Sequence, residues 1–232
     1  MCHGACPPGG RASGIGEDHT MKTFKNADGK PILLKMVKGI QSNKQYLGDV
    51  DGLIGDGDHG MNMNKGFTIF EERFADEPYS FTEGLENLGM VLMNEIGGSM
   101  GPIYGTIFMD MAEAGEDLEE ISVEDFGKML AQGLEGLCGI VDAKVGDKTL
   151  VDTLSPATDS VKASAEAGEE FEEAMPKMKA AAEAGRDSTK ELVAKFGRSA
   201  RLGERSRGVL DAGATSCCII LCAMADGVLD LA

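Results

Sequence analysis

Basic residues are scarce in this chain: 22 Lys and Arg stand against 39 Asp and Glu, which gives a net charge of −17 at pH 7. Nucleic acids and anionic membranes bind basic protein faces, so this balance argues against either as a partner. The sequence also has no apolar run that approaches the roughly 18 residues of a membrane-spanning helix. We therefore expect neither a nucleic-acid-binding protein nor a membrane protein.

The six cysteines show no pattern of a disulfide framework, which favours a reducing cytoplasm as the compartment. Three of them crowd into the apolar segment 217–222, where small buried thiols are expected.

The N-terminal tail, residues 1–21, is rich in Gly and Pro and lacks the apolar stretch of a signal peptide. Cys2, His3 and Cys6 could in principle hold a metal ion. So few ligands in such a tail favour a tag, a start-site artefact or disorder instead. We predict a disordered extension over residues 1–21, with Met21 as the native start.

Sustained polar–apolar alternation, the pattern of a half-buried strand, is absent, so no sheet is predicted. Apolar residues recur at helical spacing instead. The predicted helices run over about 31–51, 58–74 and 81–96, from 102, around 126–137, from 150, through a long segment ending near 195, and over 214–231. About eight helices with short joints predict an all-α fold, an antiparallel barrel or bundle with its glycine-rich joints at one end.

The most unusual stretch, residues 48–67, holds four aspartates and six glycines. We expect Asp51 in the last turn of a helix, and Asp56 and Asp58 in a loop that its glycines fold back sharply at positive φ. Three carboxylates that converge repel each other unless a cation lies between them. Oxygen-only ligands select a hard ion, Mg²⁺ or Ca²⁺.

A phosphate site is predicted beside these carboxylates. His59 to Asn62 fall where the next helix begins, and free N–H groups at a helix N-terminus bind anions. A hard cation beside such groups predicts a Mg²⁺–nucleotide site, in which the ion supplies the positive charge that this chain lacks. A structural Ca²⁺ loop or a simple polar turn is the alternative, although the spacing does not fit an EF-hand.

Two further segments have two interpretations each. Gly97, Gly98 and Ser99 precede a helix that opens near Pro102, and they form either a second phosphate cradle or a simple helix–turn–helix joint. Residues 195–207 form either a positive island that faces a nucleotide or partner, or an ordinary charged loop. The charged residues of that segment are Lys195, Arg198, Arg201, Glu204, Arg205 and Arg207.

The stretch from Asp51 to Phe67, Asp-Gly-Leu-Ile-Gly-Asp-Gly-Asp-His-Gly-Met-Asn-Met-Asn-Lys-Gly-Phe, resembles the signature of the nucleotide-binding L subunit (the DAK2 domain) of dihydroxyacetone kinases. Four later blocks agree in the same order. They are Gly97-Gly-Ser-Met-Gly-Pro-Ile-Tyr-Gly-Thr106, Gly146-Asp-Lys-Thr-Leu-Val-Asp152 with Pro156, Gly197-Arg-Ser-Ala-Arg-Leu-Gly-Glu-Arg-Ser206, and Asp211-Ala-Gly-Ala-Thr-Ser216. The resemblance covers about residues 22–231.

The resemblance implies one nucleotide-binding domain over residues 22–232, an eight-helix barrel that holds ADP or ATP with two Mg²⁺ ions at one end. Asp51, Asp56 and Asp58 match the family's metal ligands. Arg198 matches an arginine that reaches the transferring phosphate, which makes it the candidate catalytic residue. The positions that match nucleotide contacts are His59, Gly60, Met61, Asn62, Ser99, Met100, Gly146, Ser155, Asp211, Ala212 and Gly213.

Three departures from the family pattern bear on nucleotide affinity. Met100 stands where the family often has a second serine, and Ser155 replaces an apolar residue that would pack on the adenine. The family's Gly-His-x-Asp-Pro-Gly becomes Gly208-Val-Leu-Asp-Ala-Gly213 here. All three metal aspartates are unchanged.

The resemblance implies a phosphotransferase with an alcohol group as acceptor. It would pass phosphate to a small ketose such as dihydroxyacetone, which a partner K-type subunit binds through its own histidine. Nothing in this sequence resembles that subunit, and His59 is the only histidine outside the N-terminal tail. The phosphoryl donor is either free ATP or a phosphotransferase-system protein that recharges bound ADP. The alternatives are a non-catalytic nucleotide-binding regulatory adaptor of the same fold, and a structural Ca²⁺-loop protein.

Overall fold

The computed structural model describes residues 22–231, so the predicted N-terminal extension lies outside the described residues. The described part contains nine α-helices: α1 (Lys30–Ser42), α2 (Lys44–Ile54), α3 (His59–Phe74), α4 (Phe81–Glu95), α5 (Met100–Gly115), α6 (Val123–Ile140), α7 (Val151–Glu166), α8 (Phe171–Ser188) and α9 (Ala212–Leu229). Short 3₁₀ segments cover Asn26–Asp28, Thr189–Glu191 and Ser199–Ser206.

Eight of these helices close into a ring. α3 packs on α4, each helix from α4 to α9 packs on the next, and α9 and α3 both pack on α1. Most neighbours are joined by short segments, which makes the ring antiparallel, and α2 rests on α3 and α9. Large apolar side chains fill its centre, including the fully buried Phe67, Phe81, Phe126 and Phe171. The predicted antiparallel barrel of about eight helices is confirmed.

The prediction of one helix over 31–51 is wrong, because the helix is interrupted at Asn43. The Asn43 side-chain amide donates to the carbonyl of Gly39 at 2.8 Å, and its backbone N–H donates to the carbonyl of Ile40 at 3.1 Å. A short polar side chain that bonds the preceding turn in this way competes with continued helix. The break turns α2 toward the start of α3, and so places Asp51 beside the loop that follows.

The prediction of no sheet is also wrong, for two short strands. β1 (Thr23–Lys25) pairs antiparallel with β2 (Glu120–Ser122), with Thr23 opposite Ser122. Three residues are too few to produce a detectable alternation in sequence. The strands lie away from the joints that carry the predicted site.

The expectation that no segment has the length and apolarity of a membrane span is wrong for α9. Its 18 residues have a mean hydropathy of 1.8, which is sufficient for a span by composition. In the fold, 67% of this helix is buried against other helices, as is typical of a core helix. Its apolarity is therefore accounted for by packing inside the ring.

Candidate functional site

A cavity of about 650 Å³ opens at one end of the ring. The antiparallel order brings the starts of α3, α5, α7 and α9 to this end. The lining residues at or next to those starts are Asp58 and His59, Ser99 and Met100, Thr149 and Leu150, and Asp211, Ala212 and Gly213. Helix starts carry free N–H groups and partial positive charge, so their convergence favours an anionic ligand.

An acidic triad occupies one side of the cavity. Asp51 lies in the last turn of α2, and Asp56 and Asp58 lie in the loop before α3. One oxygen of each carboxylate lies within 4.8 Å of the others, close enough to share one ion. Of the glycines in this loop, Gly57 has the expected positive φ of 77°, whereas Gly55 has a φ of −125°. Gly55 therefore does not provide the positive φ that was expected of it. Its role depends instead on how closely it approaches the Asp51 side chain.

Basic groups partly neutralise the triad. The Arg198 guanidinium contacts the Asp56 carboxylate, and its Nη1 lies 4.0 Å from Asp58 Oδ2. The backbone N–H of His59 donates to Asp51 Oδ2 at 3.3 Å. Three clustered carboxylates with oxygen-only ligand atoms form a donor set that suits Mg²⁺ or Ca²⁺.

Two helix N-caps at the cavity end differ from two at the far end, although Asp211 at the cavity end does cap α9 through the N–H of Ala214. At the far end, Ser80 of α4 and Ser122 of α6 both complete capping boxes. At the cavity end, neither Asp58 of α3 nor Ser99 of α5 makes a side-chain cap hydrogen bond. A carboxylate and a hydroxyl that would ordinarily satisfy their own helix thus remain free to bind a ligand.

A hydrogen-bond network behind the triad joins three helices. The Nε2 atom of His59 lies 2.8 Å from Ser216 Oγ, and the Tyr104 hydroxyl lies 2.6 Å from the same oxygen. Tyr104 also donates to the carbonyl of Gly213 at 3.2 Å. Burial lowers the pKa of His59 to about 4, although the nearby Asp51 charge opposes this shift. His59 is therefore neutral at pH 7 and holds α3 to α9.

Apolar side chains form another part of the cavity wall. They come from α5, from the joint 141–150 and from the segment after α8: Ile103, Val141, Ala143, Leu150 and Phe196. The joint is fixed by Asp152, whose carboxylate accepts from the backbone N–H groups of Gly146 at 2.6 Å and Thr149 at 2.7 Å. One cavity thus combines carboxylates, helix starts and an apolar wall.

Most of the sequence-predicted site residues line this cavity. Those that do are Asp51, Asp56, Asp58, His59, Asn62, Ser99, Met100, Arg198, Asp211, Ala212 and Gly213. The others, Gly60, Met61, Gly146 and Ser155, are not among the lining residues.

Two of these four have local structural reasons for their position. A Cβ on Gly60 would lie 2.0 Å from the carbonyl oxygen of Lys44, so glycine permits the close packing of α3 on α2. The Met61 side chain is 59% exposed beside the cavity.

Sequence reasoning missed four residues that shape the site: Tyr104, Lys148, Phe196 and Ser216. Three of these, Tyr104, Lys148 and Ser216, lie inside the glycine-rich blocks, and that placement was the available signal. Nothing in the sequence distinguishes Phe196, which precedes Gly197 in a basic segment.

The basic segment 195–207 is divided in its contacts. Arg198 faces the triad, as the nucleotide-facing interpretation requires. Lys195 and Arg207 instead pair with Asp147, at 2.5 Å, and Glu204, at 3.1 Å. The interpretation as an ordinary charged loop therefore holds for these two residues.

A larger cavity, of about 920 Å³, opens at the opposite end of the ring, near the start of α4. Its wall is dominated by scattered carboxylates, among them Glu83, Asp110 and Glu113. Among residues 22–231, the triad is the one group of three ionisable side chains placed to share an ion. The smaller cavity is therefore the candidate functional site.

Fold and site together define the class: an all-helical barrel domain with an acidic triad and converging helix starts at one end. The DAK2 domain family model matches residues 53–226. The chain is 37% identical to the "PEP-dependent dihydroxyacetone kinase 1, ADP-binding subunit DhaL" of Listeria innocua, over 80% of this chain and 88% of that protein. It is 36% identical to the "PEP-dependent dihydroxyacetone kinase, ADP-binding subunit DhaL" of Escherichia coli, over 76% and 85%. The chain therefore belongs to the DAK2 domain family.

Solved structures share the fold. The dihydroxyacetone kinase of C. freundii in its native form matches with a TM-score of 0.68 at 21% identity, over 97% of this chain. The same kinase in complex with AMP-PNP and Mg²⁺ matches with a TM-score of 0.64 at 22% identity. This chain spans 38% of the length of that kinase.

Proposed function

We propose that this chain is the nucleotide-binding subunit of a dihydroxyacetone-type kinase, which holds ADP or ATP with Mg²⁺ and passes phosphate to a small ketose on a partner K-type subunit. The observation that carries the proposal is the arrangement of the cavity, in which an acidic triad, four helix starts and an apolar wall face one space. The names of the two bacterial relatives, both ADP-binding subunits, support it.

Asp51, Asp56 and Asp58 are the proposed metal ligands. Their oxygens lie close enough to share an ion, and the Asp58 carboxylate is not engaged in capping α3. When bound, Mg²⁺, proposed as two ions, would neutralise phosphate charge during transfer. The C. freundii kinase was solved with AMP-PNP and Mg²⁺, which is consistent with this assignment.

The phosphates are proposed to bind at the starts of α3 and α5. There, the N–H groups of Gly60 and Met61 in the first turn of α3 and the free Ser99 hydroxyl can donate to phosphate oxygens. The N–H groups of His59 and Asn62 instead bond Asp51 and Asp58. The base would pack on the apolar wall, where Leu150 and Phe196 provide contact area independently of Ser155. The start of α9, at Asp211 to Gly213, would close the site from the other side.

Arg198 is the proposed catalytic residue. Its side chain is 60% exposed and reaches the triad from a segment outside the helical ring. A planar, always-charged guanidinium suits the developing charge on a transferring phosphoryl group. In this role Arg198 would exchange its Asp56 contact for the phosphoryl oxygens.

The partner K-type subunit is proposed to dock over the cavity mouth, so that its bound ketose meets the phosphate. Large apolar side chains next to cavity residues in sequence are unusually exposed, because Leu53 is 67% exposed and Met61 59%, and the cavity-lining Phe196 is itself 38% exposed. Exposed apolar groups around a site are typical of a protein-binding surface. The PEP-dependent names of the relatives favour a phosphotransferase-system protein as the donor.

A reducing cytoplasm is the proposed compartment. Within residues 22–231, all four cysteines are free thiols, and Cys217 and Cys218 are buried. Free thiols persist where the surroundings keep them reduced.

The test replaces Asp56 with Ala and measures ADP binding with and without Mg²⁺ by titration calorimetry. We expect Asp56→Ala to abolish metal-dependent binding while the helical circular dichroism signal stays unchanged. Asp49→Ala is the matched control, because Asp49 is an exposed carboxylate of α2 outside the triad, and it accepts a hydrogen bond from the Gln45 side chain one turn earlier. Unchanged ADP binding in Asp56→Ala would contradict the proposal. Binding without transfer, when a K-type subunit and dihydroxyacetone are supplied, would identify a regulatory adaptor instead.

A further inference from the structure

Lys148 is a buried lysine in the wall of the cavity, and the proposed nucleotide contacts give it no role. It is 1% exposed and lies in the joint between α6 and α7. Among residues 22–231 it is the one non-glycine residue with a positive φ, at 63°. A strained backbone and a buried charge are both unfavourable, and such features persist where the surroundings enforce them.

The Lys148 ammonium joins two distant segments. Its Nζ donates to the carbonyl oxygens of Thr189 and Val209. Thr189 caps the C-terminus of α8, where unpaired carbonyls and the helix dipole favour a cation. Val209 lies two residues before Asp211, the N-cap of α9. One side chain therefore ties the end of α8 to the start of α9.

These two carbonyls flank the ends of a loop, residues 190–208. The loop is closed at its base by a hydrogen bond from the N–H of Gly208 to the carbonyl of Lys190, at 2.7 Å. A second bond runs from the N–H of Asp211 to Thr189 Oγ1, at 3.1 Å. Lys148 reaches this base from the joint between α6 and α7, where the neighbouring Asp147 carbonyl also accepts from the N–H of Lys195 at 3.2 Å. The base of the loop is thus tied to the joint that carries Leu150.

The loop carries Arg198 and Phe196 into the cavity, and it contains no α-helix of its own. Its regular elements are the end of the 3₁₀ segment Thr189–Glu191 and the 3₁₀ segment Ser199–Ser206, which is interrupted at Gly203. The direction in which Arg198 points therefore depends on how the loop is held, both at its base and where Lys195 bonds Asp147. Burial lowers the pKa of Lys148, while the nearby Asp211 charge opposes that shift.

We propose that Lys148 is a positioning residue that fixes the base of loop 190–208, and so holds Arg198, Phe196 and the start of α9 against a bound nucleotide. The inference rests on the proposed nucleotide site. It assigns to Lys148 no contact with the metal triad and no proton transfer.

Lys148→Met keeps the length of the side chain and removes the ammonium donors. We expect the dissociation rate of ADP, measured by stopped flow in saturating Mg²⁺, to rise at least about tenfold. Mn²⁺ binding to the nucleotide-free protein, measured by electron paramagnetic resonance, should not weaken, because the triad lies on α2 and the loop before α3 and a displaced Arg198 would only release Asp56. A general loss of structure would weaken Mn²⁺ binding as well.

Two further variants separate positioning from simple destabilisation. Lys148→Gln retains an N–H donor on a shorter side chain, and it should recover part of the slow dissociation. Lys190→Met is the matched control, because Lys190 is exposed on the same segment, next to Thr189. It should leave dissociation unchanged.

The unmodified protein provides a test that does not depend on the folding of any variant. Acetic anhydride should acetylate Lys148 much more slowly than Lys190. Saturating ADP with Mg²⁺ should lower the acetylation rate of Lys148 further, because it holds loop 190–208 closed. If the native protein does not bind ADP, the proposed function fails. If it binds ADP, but neither the acetylation rate of Lys148 nor the dissociation rate in folded Lys148→Met changes, the positioning role is overturned and the proposed function stands.

Discussion

Gly55 lies directly against the carboxylate of Asp51: a Cβ built on Gly55 would come 2.2 Å from Asp51 Oδ1. The N–H of Gly55 also bonds the carbonyl of Asp51 at 2.5 Å, so the two residues cannot easily separate. Glycine at this position therefore lets Asp51 point toward Asp56 and Asp58.

Gly55→Ala should displace the Asp51 side chain from the triad. We expect Mn²⁺ affinity of the nucleotide-free protein to fall by about tenfold or more, equivalent to about 1.4 kcal/mol. Equilibrium dialysis measures this. Gly139→Ala is the control, because Gly139 lies exposed in α6 with no atom within 4 Å of an added Cβ. Equal metal affinity in Gly55→Ala and the native protein would contradict the role given to Gly55.

Ser80, the N-cap of α4, and Ser99, the N-cap of α5, are predicted to respond differently to substitution by alanine. Ser80→Ala removes a capping box and should lower the free energy of unfolding by about 1 kcal/mol, with no change in ADP affinity. Ser99→Ala removes a hydroxyl that caps nothing, so it should weaken ADP binding with little change in stability. Urea unfolding and calorimetry on both variants test this pair. A stability loss in Ser99→Ala equal to that in Ser80→Ala would show that the Ser99 hydroxyl is structural.

The network behind the triad predicts a graded loss of stability. Ser216→Ala removes the hydroxyl that lies 2.8 Å from His59 Nε2 and 2.6 Å from the Tyr104 hydroxyl. Tyr104 keeps its bond to the carbonyl of Gly213, whereas the buried His59 nitrogen loses its partner. We expect a cost of about 2–3 kcal/mol, because a buried polar group is left unsatisfied. Tyr104→Phe leaves Ser216 bonded to His59 and to the carbonyl of Gly213, so it should cost less. Urea unfolding at pH 7 gives the order, and a larger loss in Tyr104→Phe would contradict it.

The sequence predicted those parts of the fold that depend on local signals. The start of α3 at His59 was predicted within one residue, because a glycine–aspartate loop and an apolar period adjoin there. The break at Asn43 was not predicted, since the apolar period continues across it. Only the contact of its side chain with Gly39 reveals the break.

Some features of the candidate site were likewise predictable from local sequence, and others were not. The convergence of Asp51, Asp56 and Asp58 followed from their spacing across the end of one helix and the loop after it. The contacts of Ser216 with His59 and Tyr104 join residues more than a hundred positions apart, and no local pattern encodes them.

The burial of Lys148 is the clearest feature that could not be predicted from the sequence. A lysine in a Gly-Asp-Lys-Thr turn is expected to be exposed, and its burial depends on carbonyls from two later segments.

Asp211 predicts a pH dependence of stability. Desolvation raises its pKa to about 6 in the fold, against 3.8 for an ordinary aspartate. The folded state thus holds this proton more tightly than the unfolded state does. The stabilisation that comes from protonating Asp211 is therefore fully present below about pH 4. It is lost as the pH rises to about 6, at a cost of up to about 3 kcal/mol.

Asp211→Asn removes this titration and keeps an oxygen that can accept the cap bond from the N–H of Ala214. We expect the variant to be more stable than the native protein by about 1–3 kcal/mol at pH 7, and close to it at pH 4. Urea unfolding across that range measures the difference. Asp187→Asn is the control, and its effect on stability should change with pH in the opposite direction. The exposed Asp187 pairs with Arg186, which lowers the pKa of the Asp187 carboxyl. A stability difference in Asp211→Asn that does not change between pH 4 and pH 7 would mean that Asp211 does not carry this dependence.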